Sequence, residues 1–152
     1  MLLLTFRIRE ELYALDASAV VEVVPRVVPR VVPHAPAYLA GVFSYRGIIV
    51  PAVDLGVLLN AGPCRSRLST RIIIAGDPNS PERLVGLIAE AVSDVRPLAK
   101  HAATFPPIHR PDAPYLGSVV RIDDDLVQTI RVESLLPEAI RNALANLETE
   151  IA

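Results

Sequence analysis

At 152 residues the chain is the size of one ordinary domain, able to bury roughly 70% of its unfolded surface. Its 51% hydrophobic and 21% charged residues exclude a disordered tail or a polar low-complexity protein. A formal net charge of −2, with no Lys/Arg-rich run, excludes the basic footprint that nucleic acid requires. Direct membrane insertion is excluded too: Pro, Arg or Glu breaks every valine-rich stretch before the ~20 apolar residues of a span.

The apolar residues are mainly Val, Ile, Leu and Ala, with 5% aromatics and no Trp, a set that favours strands over helices. Leu2–Leu4 lack a basic leader and meet Arg7, Arg9 and Glu10 at once, so no signal peptide is read. Two apolar runs, Leu2 to Ile8 and Leu12 to Leu15, flank Arg9, Glu10 and Glu11 and predict an opening hairpin. From Val20 to Pro33 the tetrad Val-Val-Pro-Arg occurs at 23–26 and 27–30, and a third copy begins at Val31. Proline at every fourth position removes donors and fixes φ, which predicts an edge strand passing into extended chain. The repeat itself reads as local drift in a surface loop.

Val42 and Phe43 lead through Ser44, Tyr45, Arg46 and Gly47 into the run Ile48 to Val53, two strands meeting at a turn where Gly47 accepts positive φ. Asp54 stands before Leu55, where its carboxylate can cap a short helix. Asn60 to Ser69 reads as a surface linker. Arg71 to Ala75 and Arg83 to Ala91 are predicted strands around a turn at Asp77 to Glu82, and Val92 to Leu98 is expected to continue the second. Ala99 to Pro114 is proline-rich and loop-like. Tyr115 to Ile122 and Leu126 to Val132 form a last pair across Asp123, Asp124 and Asp125, and Pro137 opens an amphipathic helix with Ile140, Leu144, Leu147 and Ile151 on one face. So many short strands favour a sandwich or barrel.

No catalytic residues are identified. His34, His101 and His109 lie far apart without ligands at zinc spacing, so no metal is expected. Nucleophile elbows and phosphate-binding glycine loops are absent, and no cofactor is implied. Arg65 and Arg67 beside Cys64 would depress a thiol pKa, yet a lone cysteine here reads as an incidental loop thiol. It cannot form an internal disulfide, which fits a reducing, cytoplasmic compartment. Three aspartates in a row read as a solvated turn rather than a calcium loop.

The residues named so far carry a resemblance to the CheW-like domain family of chemosensory systems. Leu4, Phe6, Tyr13, Ala14 and Leu15 resemble its opening hairpin, and Val20 to Val23 its Val-x-Glu-Val segment. Most specific is Arg46 to Leu55, Arg-Gly-Ile-Ile-Val-Pro-Ala-Val-Asp-Leu, similar to the family's Arg-Gly-x-x-x-Pro-x-x-Asp-Leu core. Val85 to Ile88, Val92 to Val95, Tyr115 to Gly117 and Glu133 to Leu136 continue the likeness in order. Ser44 and Tyr45, where many members carry Asn-Leu, Ala89 and Glu90, where Asp is common, Arg131 and the tetrads depart from it. They look like the adaptors of non-flagellar, surface-sensing systems.

The resemblance implies a single CheW-like domain over residues 1–152, mostly β, built as two small five-stranded β-barrels with a C-terminal helix. One subdomain would take about 13–59 with the termini, the other about 71–126. It implies a non-enzymatic adaptor coupling chemoreceptors to a CheA-type histidine kinase, cytoplasmic and peripheral to receptor arrays. The implied partners are a chemoreceptor's cytoplasmic signalling tip and the kinase's regulatory domain, and CheW-like ring assembly is a further implied contact. Glu22 and Arg46 fall on its receptor-proximal positions: they would pair across neighbouring strands, either as a structural salt bridge or as direct receptor recognition by an Arg fork. Val20, Val24 and Phe43 are candidates for the apolar floor of that site or for core. Gly47 and Asp54 would be the structural turn and cap.

Overall fold

The structure is a computed structural model and describes residues 1–107 and 110–135. Apolar residues alternating with polar ones give β1 (Leu2–Ile8) and β2 (Glu11–Asp16), an antiparallel hairpin with Leu4 opposite Leu15 and Phe6 opposite Tyr13. β3 (Val20–Pro25) is an edge strand, paired only with β6 (Arg71–Ala75). β4 (Leu39–Tyr45) and β5 (Ile48–Asp54) meet at Arg46 and Gly47, and α1 (Leu55–Leu58) follows as one turn. β7 (Val85–Ala89) completes a five-stranded sheet of order β3-β6-β7-β5-β4. With β8 (Val95–Pro97), β9 (Thr104–Phe105), β10 (Leu116–Ile122) and β11 (Asp125–Ile130), the hairpin β1–β2 forms a six-stranded sheet of order β8-β1-β2-β11-β10-β9. β5 with β7 and β2 with β11 are the parallel pairs.

Three expectations change, and a fourth is not met by the described residues. The implied barrels are open sheets: among the described residues no ladder joins β3 to β4 or β8 to β9. Proline is the reason in the first sheet, since Pro25, Pro29 and Pro33 have no donor to give where β3 would run on beside β4. Among the described residues the backbone link there is a bridge in which the Arg30 and Val42 N–H groups donate to each other's carbonyls at 2.8 and 2.9 Å. Second, the sheets divide the chain into 20–89 and 2–16 with 95–130, a division that cuts across 13–59 and 71–126 because the β6–β7 hairpin is captured between β3 and β5. Third, Val92 to Leu98 does not extend β7: Ala91 turns the chain at φ 44°, and β8 joins β1 in the other sheet. Fourth, the helix expected from Pro137 lies outside the described residues.

The main core gathers Phe6, Leu15, Val50, Val53, Leu55, Ile72, Ile73, Ile74 and Leu87, all fully buried, each stabilising the fold by roughly 1.5–3 kcal/mol. A smaller cluster of Leu3, Ala14, Val120, Ile122 and Val127 belongs to the six-stranded sheet alone. The sheets are tied by a bridge in which the N–H of Arg7 donates to the Glu90 carbonyl at 2.9 Å and that of Glu90 returns to Arg7 at 3.1 Å.

Candidate functional site

β3 and β4 are the two edges of the five-stranded sheet, yet Glu22 on the first touches Tyr45 and Arg46 at the end of the second. One guanidinium nitrogen of Arg46 lies 3.0 Å from Glu22 Oε2, and the Tyr45 hydroxyl donates to that same oxygen. The Arg46 guanidinium also stands 5.4 Å from the centre of the Tyr45 ring, within cation–π range. The expected pair therefore forms, but across the open edges of a curled sheet and not between neighbouring strands. Side chains join here what prolines keep the backbone from joining. Hydrogen bonding to Glu22, then burial, raises the Tyr45 pKa against the opposing charge of Arg46, so the phenol stays protonated and donating at neutral pH.

The turn that presents this group is built from its sequence. Arg46 has φ 48° and Gly47 φ 80°, and two successive positive φ values are what a type I′ hairpin turn requires. Glycine meets that demand freely, whereas arginine carries a cost of roughly 1–2 kcal/mol. The Arg46 side chain is 72% exposed and that of Glu22 37%, so the ion pair adds little stability.

Phe43 and Tyr45 are two residues apart on β4, as Glu22 and Val24 are on β3, so each pair shares one strand face. Val20, Val24 and Phe43 are all partly buried and packed against the main core. The Phe43 ring occupies the space over Gly86, where an added Cβ would come within 2.7 Å of it. Asp54 accepts from the N–H groups of Gly56 at 2.9 Å and Val57 at 3.3 Å, and also from that of Cys64 at 3.2 Å, which pins the linker to α1.

Two residues, Tyr45 and Glu90, stand in the sequence reading as departures from the family pattern and carry no site role there. Tyr45, an aromatic two residues after Phe43 and next to Arg46, nevertheless shares the inward face. Glu90 closes a wholly apolar run from Leu84 to Ala89, and a carboxylate in that place needs a partner. It accepts from Arg9 at 2.9 Å and from Arg65 at 2.7 and 3.0 Å. Arg65 is turned to Glu90, and at the Cys64 thiol burial first, then the Asp54 charge, outweighs the lowering hydrogen bond from the Gly56 backbone and pushes its pKa up to about 12. Among the described residues, no three of His, Cys, Asp or Glu group closely enough to hold a metal ion, and no helix is long and apolar enough to cross a membrane.

Residues 2–139 match the CheW-like domain family. The chain is 27% identical over 143 residues to the chemotaxis protein CheW of Rhizobium meliloti (strain 1021), covering 93% of this chain and 90% of that protein. It is 28% identical over 155 residues to the chemotaxis protein CheW of Treponema pallidum (strain Nichols), covering 95% and 87%. The crystal structure of the scaffolding protein TtCheW from Thermoanaerobacter tengcongensis is similar with a TM-score of 0.72 and 30% identity, over 85% of this chain and 82% of that one. With the family's pattern matched over residues 2–139 and a related fold over most of the chain, the chain belongs to the CheW-like domain family.

Proposed function

We propose that the chain is a non-catalytic coupling protein that holds the cytoplasmic signalling tip of a chemoreceptor on one surface and the regulatory domain of a CheA-type histidine kinase on another. The observation that carries this reading is the nearly end-to-end likeness to chemotaxis CheW proteins and to a solved scaffolding protein. The exposed Arg46 turn supports it, because guanidinium donors on a rigid hairpin suit carboxylates and free carbonyls at the end of a helical hairpin. Glu22 and Tyr45 fix the guanidinium from below, while Val20, Val24 and Phe43 supply partly exposed apolar surface beside it. The protein acts in the cytoplasm, and its output is whom it holds together.

The test is retention on an immobilised receptor signalling tip and, separately, on a CheA regulatory domain. The wild type is expected to bind both. Arg46→Ala is expected to weaken receptor-tip binding about tenfold, roughly 1.4 kcal/mol, with kinase-domain binding and melting temperature unchanged. Arg46→Asn, which tolerates positive φ, gives the same loss with the turn kept. Failure of the wild type to bind either domain, coupled with stabilisation by a small metabolite, overturns the reading.

A further inference from the structure

Of the tandem Val-Val-Pro-Arg segment only Val24 enters the coupling role, and the fold gives the rest a setting. Between Glu22 and Asp54, and again between Asp54 and Asp77, the chain carries no carboxylate, although it has 17 Asp and Glu in all. Those stretches hold Arg26, Arg30, Arg46, Arg65, Arg67 and Arg71. Arg46 and Arg65 are taken by Glu22 and Glu90. Three of the other four are neighbours: Pro25 stands opposite Arg71 in the β3–β6 ladder, Arg26 donates to the Ser66 hydroxyl at 3.0 Å beside Arg67, and the Arg71 guanidinium donates to the Leu68 carbonyl, while Arg30 follows four residues on along the same segment. Among the described residues none of the four has a carboxylate within ion-pair distance. Val28 is 87% exposed, Val31 74% and Leu68 94%. Arginine and bare aliphatic side chains thus alternate along a ridge.

The ridge is also held in shape. Proline fixes φ at 25, 29 and 33, and the two-bond bridge to Val42 anchors Arg30, so a partner need not bear the entropy of ordering it. We propose that the ridge is a docking surface separate from the Arg46 turn, taking an acidic, apolar segment of a partner protein. Carboxylates of that segment meet Arg26, Arg30, Arg67 and Arg71, and its aliphatic side chains cover Val28 and Leu68. Charge complementarity selects the occupant, because a local cluster of guanidinium forks that have hydroxyl or carbonyl partners at most and no carboxylate suits paired carboxylates. The exposed Val28 and Leu68 between the arginines favour a protein segment with aliphatic side chains over a phosphate backbone, which offers charge and leaves them bare. The inference stands without the coupling role.

The test titrates the isotope-labelled full-length chain with a soluble synthetic peptide of Glu, Leu and Ser, and with its analogue carrying Gln in place of every Glu. The acidic peptide is expected to shift the amide resonances of residues 26–31 and 66–71, to bind more weakly as salt rises, and to lose about tenfold in affinity on the double variant Arg26→Gln, Arg67→Gln. Arg46→Asn leaves that affinity unchanged, which separates this surface from the receptor-facing one. Equal binding of the Gln analogue, equal binding by the double variant, or shifts centred elsewhere overturn the proposal. So does capture by phosphatidylserine vesicles or a DNA oligomer without peptide binding. Self-association that the double variant abolishes assigns the ridge to a second copy of this chain and also overturns it.

Discussion

Glu90 is 3% exposed, an environment in which a carboxylate survives only with close partners. It has them from three directions: the Arg9 guanidinium, the Arg65 guanidinium, and the Arg65 N–H at 2.7 Å. Burial by itself would raise its pKa, but the side-chain and backbone hydrogen bonds from Arg65, with the charges of Arg65 and Arg9, prevail and lower it. A carboxyl whose folded pKa lies below its unfolded one stabilises the fold fully above the ordinary value of about 4.5. That contribution disappears as the pH falls through the folded value. Urea unfolding should therefore show wild-type stability declining below about pH 4.5, whereas Glu90→Gln has lost this component already. At neutral pH the variant should be less stable by about 2 kcal/mol, a figure kept modest because both arginines can turn towards water. An acid limb equally steep in both proteins counts against this role for Glu90.

At the scale of elements, the bridge between Arg30 and Val42 depends on Gly41. Its φ is 148°, and a Cβ there would lie 2.2 Å from the Arg30 carbonyl oxygen. Gly41→Ala should lower stability by about 2–3 kcal/mol through backbone strain and the lost close approach, and hydrogen exchange at the Arg30 and Val42 amides should lose its protection while β6 keeps its own. Normal protection at both positions would mean that the bridge tolerates the added methyl. This bridge also marks where the sequence stops being legible. The hairpins could be read because punctuation is local: Arg9-Glu10, Arg46-Gly47 and Asp123-Asp124 each interrupt apolar alternation. The edge position of β3 could be read because Pro25 and its successors declare missing donors. Which strand lies beside which could not, because an apolar run such as Ile72 to Ala75 fits any neighbour. Glu22 and Arg46 were visible as residues of interest through family likeness. That they meet across the open edges, with Tyr45 between them, is a property of the curl of the sheet.

For the whole molecule, the two sheets are unequal in what holds them. The five-stranded sheet carries most of the main core, including Ile72, Ile73, Ile74, Val85 and Leu87. The block β9–β10–β11 joins the rest by a short parallel register, Gln128 with Tyr13 and Thr129 with Ala14, by Ile130 and Leu116 at the main core, by the smaller cluster around Val127, and by exposed ion pairs of Arg96 with Asp123 and Asp125. Inside the block, Thr129 donates to the Ser118 carbonyl at 2.6 Å and Gln128 to that of Gly117 at 2.8 Å, so β10 and β11 stay together even if they leave. Local opening costs less where fewer buried apolar contacts are broken, so this block should open before the five-stranded sheet does. Val127→Ala removes methyl groups from the smaller cluster and should cost about 1–3 kcal/mol. Exchange at Val119, Val120 and Arg121 should then accelerate with that loss, with Ile72 to Ile74 unaffected under native conditions. The Arg46 turn belongs to the stable sheet, so receptor-tip binding should persist in the same variant. Uniform acceleration in both sheets would instead show that the Arg7–Glu90 bridge couples them into one cooperative unit, and binding at Arg46 would then weaken whenever the distant hairpin opens.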